Sequence, residues 1–200
     1  MSSVGTPLGG HLDRRADVSA LLADRGETLV VTGLGSATYD VMAAGDHDGN
    51  YYLWAAMGSA ATVGLGLAKA RPDRSVLVVT GDGELMMGFG ALATIAVCSP
   101  PNLSIAVLDN GHFGETGMQE SHAGRGVAID RVAAELGFAW TACITEMAQV
   151  DELRTRIADR SGCKLAVIKI KPENPPRVLP PRDGVFIKNR FRAALGSLPV

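Results

Sequence analysis

Apolar residues along this chain come in short runs separated by longer amphipathic stretches. Runs at 28–32, 51–54, 75–80, 103–108 and 164–170 lack strict alternation, and the longer ones are rich in Val, Leu and Ile. Such runs predict strands buried on both faces, as in a parallel sheet. Helical spacing fills the gaps. It is seen at 11–25, where Leu12, Ala16, Ala20 and Leu21 recur among Asp and Arg, at 58–69, at 87–98, at 130–136 and at 146–159. The crossover lengths fit βαβ units. The pattern therefore predicts an α/β fold, a single three-layer domain around a mostly parallel central sheet.

Two local features qualify this plan. Gly58, Gly64 and Gly66 fall in the predicted helix 58–69, which Pro72 and Asp73 close. Each interior glycine costs about 1 kcal/mol against alanine, so close packing on another backbone is expected there. Pro172, Pro175, Pro176, Pro180 and Pro181 make 171–184 extended, with a short helix expected at 186–194. The chain is thus divided into a domain at 1–170 and a proline-rich arm at 171–200. The arm either wraps its own domain or reaches across a subunit interface.

Composition narrows the function classes. With 200 residues and 46% hydrophobic content, the chain can build one good core and is short for two domains. A net charge of -2 gives no footprint for nucleic acid or anionic membrane. No apolar run approaches a bilayer span, and the start (Ser2, Gly5, Pro7, Gly9, Gly10) lacks the plan of a signal peptide. Cys98, Cys143 and Cys163 are odd in number and far apart, which predicts buried free thiols and a cytoplasmic location.

The chemistry is concentrated where two apolar runs end. One runs into Thr80-Gly81-Asp82-Gly83 and the other into Asp109-Asn110-Gly111. Ligands of open α/β sheets sit outside the carboxyl ends of the strands. A carboxylate and a carboxamide there suit a hard divalent ion, with phosphates over the glycines and a helix N-terminus. Gly33-Leu34-Gly35-Ser36 can add backbone amides and a hydroxyl. Taken singly these signals are weak: Asp-Gly is a common turn, and a generic nucleotide-binding domain would also place a carboxylate here. A dinucleotide fingerprint is missing, because Gly33-Leu34-Gly35 is followed by Ser36-Ala37-Thr38.

Together, these residues resemble the pyrophosphate-binding domain of thiamine diphosphate (ThDP) enzymes, over roughly residues 30–140. Asp82 and Asn110 are 28 positions apart, one more than the family's usual interval, with Pro100-Pro101 a place for the extra residue. Asp109 replaces the first Asn of the family's pair. The resemblance implies that Asp82, the Asn110 side-chain oxygen and the His112 backbone carbonyl bind Mg2+. It implies that Gly81, Gly83 and Glu84 meet the diphosphate through their backbone, the Glu84 carboxylate pointing elsewhere, and that Gly35 and Ser36 do so from the neighbouring strand end. Phe113 and Gly114 join the cofactor contacts. Met57, 25 positions before Asp82, would be the wedge under the bend of ThDP, and the Ala55 carbonyl would accept from its 4′-amino group.

Further stretches are similar to the sulfopyruvate and phosphonopyruvate decarboxylase group: 52–60, 88–95, 108–117 and 180–185. This implies the cofactor-binding (β) subunit of a two-subunit ThDP- and Mg2+-dependent decarboxylase that turns a small 2-oxo acid into an aldehyde and CO2. The glutamate that activates the aminopyrimidine belongs, in the family, to a separate pyrimidine-binding domain that this chain cannot house. A pyrimidine-binding (α) subunit is therefore expected, in an α2β2 or larger assembly. His112, His122 and Glu115 are the catalytic candidates, with Gln119 and Arg125 weaker pocket candidates. Two alternatives share the motif: a ThDP-dependent carboligase subunit, and a non-catalytic regulatory or assembly subunit.

Overall fold

The structure, a computed structural model, describes residues 10–197. The strands are β1 (Leu29–Thr32), β2 (Asn50–Tyr52), β3 (Val76–Gly81), β4 (Leu103–Asp109), β5 (His112–Phe113), β6 (Gln119–Glu120), β7 (Trp140–Ile144) and β8 (Lys164–Lys169). Six of them form one parallel sheet in the order β2-β1-β3-β4-β8-β7, and β5 and β6 make a small antiparallel ribbon. The helices are α1 (Arg14–Leu22), α2 (Ser36–Ala43), α3 (Ala60–Ala70), α4 (Asp82–Met87), α5 (Ala91–Cys98), α6 (Ile129–Glu135), α7 (Met147–Asp159) and α8 (Gly184–Ala194).

Successive strand residues point to opposite faces, so each central strand feeds two cores. Val76, Val78, Ile105 and Val107 face α3, α5 and α6, whereas Leu77, Val79, Ala106 and Leu108 face α1, α2 and α7. This is the expected three-layer α/β architecture. No helix among the described residues is long and apolar enough to cross a membrane.

Several elements depart from the sequence reading. The helix expected at 87–98 starts only at Ala91 as α5, while Met87 ends the separate helix α4, with Gly88-Phe89-Gly90 between them. Gly88 leaves room for the Gly58 carbonyl, which a Cβ would overlap. β7 was not expected. It is an edge strand, half-exposed and compositionally mixed, so it lacks the buried-run signature. Helix α4 starts directly at the end of β3, and α2 follows β1 after Gly33-Leu34-Gly35, where small and polar residues read as turns. Gly64 meets the packing expectation through a side chain, because its Cβ would strike Val78. Gly66 does not, for it faces open space. Of the thiols expected to be buried, Cys163 is, while Cys98 ends α5 and Cys143 lies on the edge strand, both exposed.

The proline-rich segment lies against its own domain. Its unpaired carbonyls accept from side chains: Pro176 from Arg15 at 2.5 Å and Pro181 from the Trp54 indole at 2.7 Å. The Asp183 carboxylate then caps α8, accepting from Val185 and Phe186 amides at 2.9 and 3.1 Å. α8 packs along β2, with Phe191 edge-on to Tyr51 in one core and Ile187 in the other.

Candidate functional site

The chain leaves β1 toward β2 on one side and returns to β3 and β4 on the other. Such a reversal opens a crevice at the carboxyl ends of the strands. A cleft lies there, lined by Ser36, Met57, Asp82, Asn110, His112 and Phe113 among others. Residues from positions 14 to 116 are thus brought together by the topology.

Asp82 is the first residue of α4 and 2% exposed. The Ser121 hydroxyl donates to its Oδ2. Burial, and then the negative charge of Asp109, push its pKa up to about 6, against the opposing hydrogen bonds from Ser121 and the local backbone. Asp109 has its own counter-ion, Lys169, at 2.5 Å, and accepts from the Gly111 amide at 2.9 Å. Asp82 makes no ion pair among the described residues. A buried, raised carboxylate without a cationic partner is chemically suited to receive a cation.

Asn110 is buried beside it, and its Oδ1 accepts from the His112 amide at 2.9 Å, leaving a second lone pair. The His112 Nδ1 lies 2.8 Å from the Asn110 carbonyl. A carbonyl can only accept, so Nδ1 is the donor and a neutral ring carries its lone pair on Nε2. Among the described residues no group of three or more His, Cys, Asp or Glu side chains could hold a metal. The available donors are one carboxylate, one carboxamide and backbone oxygens. That set fits an ion which takes several ligands from a bound phosphate, as Mg2+ does, rather than a metal held by protein alone.

Both turns beside these donors are packed tightly enough to require glycine: a Cβ on Gly83 would lie 2.6 Å from the Phe113 ring, and one on Gly33 2.6 Å from the Thr80 hydroxyl. The Glu84 carboxylate accepts from the Gly58 amide at 2.8 Å. Met57 is 58% exposed and lines the cleft.

Other candidates sit at the rim or beyond it. Glu115 accepts from Ser36 at 3.2 Å and from Arg177 at 2.9 Å, covering Gly35. Gly35 and Ala55 are not among the lining residues, and neither is His122, whose exposed ring meets Phe113 edge-on at 6.5 Å. Gln119 bonds Thr116 at the surface, and Arg125 pairs with Glu120 at 3.4 Å. Sequence reasoning missed Ser121, Lys169 and Arg14. Ser121 carried no signal, since a loop serine is commonplace. Lys169 could have been suspected from a lysine ending an apolar run. Arg14 is buried, lines the cleft and pairs with Asp40 at 2.6 Å.

Comparison with known proteins gives consistent matches. The model of the C-terminal TPP-binding domain of thiamine pyrophosphate enzymes matches residues 34–169. The chain is 29% identical over 170 residues to sulfopyruvate decarboxylase subunit beta of Methanocaldococcus jannaschii, covering 84% of this chain and 88% of that protein. It is 37% identical over 193 residues to phosphonopyruvate decarboxylase of Streptomyces viridochromogenes, covering 93% of this chain and 47% of that one. The chain therefore spans less than half of this second relative. The solved 2-oxoglutarate:ferredoxin oxidoreductase of Magnetococcus marinus superimposes with a TM-score of 0.65 at 19% identity, over 100% of this chain and 80% of that one. At that identity the likeness is one of fold.

Proposed function

This chain belongs to the thiamine pyrophosphate enzymes through their C-terminal TPP-binding domain, and we propose that it is the cofactor-binding subunit of a Mg2+-dependent 2-oxo acid decarboxylase completed by a second polypeptide. The observation that carries the reading is Asp82, a buried carboxylate without a cationic partner among the described residues, lining the cleft together with Asn110.

On this reading Asp82, Asn110 Oδ1 and the His112 carbonyl hold Mg2+, which keeps its remaining positions for phosphate and water. Backbone amides of residues 33–36 and 81–84 receive the diphosphate. Met57 supports the bend of the cofactor, the Ala55 carbonyl accepts its amino group, and Phe113 and Gly114 flank it. Bound ThDP supplies the electron sink into which a 2-oxo acid loses CO2. His112 contributes a positioned proton acceptor: its Nδ1–H is fixed on the Asn110 carbonyl, so Nε2 is the atom able to hold or return a proton. Glu115, anchored by Ser36 and Arg177, orients substrate at the rim. His122, edge-on to Phe113, stands with His112 as a candidate for substrate chemistry.

The relatives' names, sulfopyruvate and phosphonopyruvate decarboxylase, support a substrate with a second anionic group. A relative named as subunit beta supports a partner chain with the pyrimidine-binding domain, in an α2β2 or larger assembly. The free thiols of Cys98, Cys143 and Cys163 suit a reducing cytoplasm.

The test is reconstitution. CO2 release and aldehyde formation from sulfopyruvate, phosphonopyruvate and pyruvate are measured with ThDP and Mg2+, with and without the partner chain. Activity is expected in the complex alone, on a doubly anionic acid, with aldehyde as product whether or not a second aldehyde is added. Robust turnover by this polypeptide alone, with mass analysis showing no second protein, overturns the two-chain reading.

A further inference from the structure

Glu84 follows Asp82 by two positions in α4, yet its carboxylate leaves that helix. Oε1 accepts from the Gly58 amide at 2.8 Å and the Ala60 amide at 3.4 Å, and Oε2 accepts the Thr80 hydroxyl. Gly58 directly follows Met57, and Ala60 is the first residue of α3. Ser59 occupies the cap position of α3 but makes no side-chain cap bond. A carboxylate from another element instead satisfies these buried amides, which would otherwise need water or a cap. Thr80 is fully buried near the end of β3, so the same carboxylate is also fastened to the sheet.

A second contact acts at the other end of α4. A Cβ on Gly58 would lie 2.7 Å from the Gly88 nitrogen, so the two backbones touch. The turn bearing Met57 is therefore gripped twice by α4, through a side-chain hydrogen bond in the first turn and glycine-on-glycine contact at the last.

We propose that Glu84 is a positioning residue: its carboxylate ties the Met57 turn to the Asp82 segment, so that the support beneath the cofactor and the ion site keep one fixed separation. The inference rests on the ThDP reading given above. It assigns the Glu84 side chain no contact with cofactor or substrate. Without the tie, the Met57 turn is free to shift while Asp82 stays in place on the sheet.

Glu84→Ala removes the acceptor, whereas Glu84→Gln keeps an oxygen for Gly58 and an amide that can donate to Thr80. Deuterium exchange is measured in the full chain at the amides of residues 55–61 and of β3. Glu84→Ala is expected to exchange about tenfold faster at 55–61 and Glu84→Gln within about threefold of wild type, with β3 unchanged. In the complex with its partner, kcat at saturating ThDP and Mg2+ should fall about tenfold in Glu84→Ala and return to within about threefold in Glu84→Gln. Wild-type exchange in Glu84→Ala overturns the proposal, and so does faster exchange with unchanged kcat, which marks a plain helix cap. If Glu84→Ala does not fold, Thr80→Val, which cuts only the tie to the sheet, is read in the same two assays, and wild-type values in both overturn it. A wild-type complex that binds no ThDP strikes the functional reading instead, and the exchange data still decide whether the tie exists.

Discussion

The ammonium of Lys169 lies 2.5 Å from the carboxylate of Asp109, and the two residues face each other in register at the ends of β8 and β4. Asp109 is 2% exposed, so losing Lys169 leaves a buried carboxylate without its ion-pair partner. Lys169→Met should destabilise the chain by about 2 kcal/mol, less than the about 3–5 kcal/mol of fully buried pairs because Lys169 keeps some exposure. Adding Asp109→Asn should recover most of that loss. Urea denaturation of both single variants and the double variant measures the coupling, and additive losses would contradict it.

Asp82 should make ion binding pH-dependent. Its pKa of about 6 lies above the ordinary 3.8, so ionisation costs the folded chain stability as pH rises through that interval, and the full cost is present above about pH 6. A cation binds the ionised form and relieves the cost. Below about pH 6 binding must release a proton, and affinity for Mg2+ with ThDP should fall up to about tenfold per pH unit. Asp82→Asn should lose the binding and be more stable than the unliganded wild type at pH near 8. Calorimetric titration across this range tests the first, and denaturation the second.

Met57→Ala should leave ThDP binding largely intact and lower kcat. The side chain supports geometry rather than anchoring charge, and a 1 Å misplacement can cost about 10²-fold in rate. Steady-state kinetics of the reconstituted complex, with the ThDP Kd measured alongside, separates the two effects. Wild-type kcat would remove Met57 from the site.

Two glycines of α3 should respond in opposite directions to alanine. Gly64→Ala drives a methyl into Val78 and should cost about 1–3 kcal/mol by overpacking. Gly66→Ala meets open space and should stabilise by about 0.5–1 kcal/mol through helix propensity. Chemical denaturation of the two variants, with changes of opposite sign, is the check.

The buried strands were the easiest elements to read, because β3, β4 and β8 are continuous apolar runs covered on both faces. β7 was hidden because an edge strand pairs on one side and needs no such run. The pairing of Asp82 with Asn110 could be read because strand ends converge whenever βαβ units wind in parallel. What surrounds them could not. That Ser121 reaches Asp82, or that Glu84 spans to Gly58, depends on how a loop folds back and on a side-chain rotamer, neither of which leaves a periodic trace.

The two margins of the sheet are unequal. β2 is three residues long and has α8 packed along it, whereas β7 has five residues, is half-exposed and pairs only with β8 among the described residues. Strand addition therefore has one open direction. A destabilised copy would template aggregation from the β7 side, and a proline or an outward lysine placed there is where solubility engineering should begin.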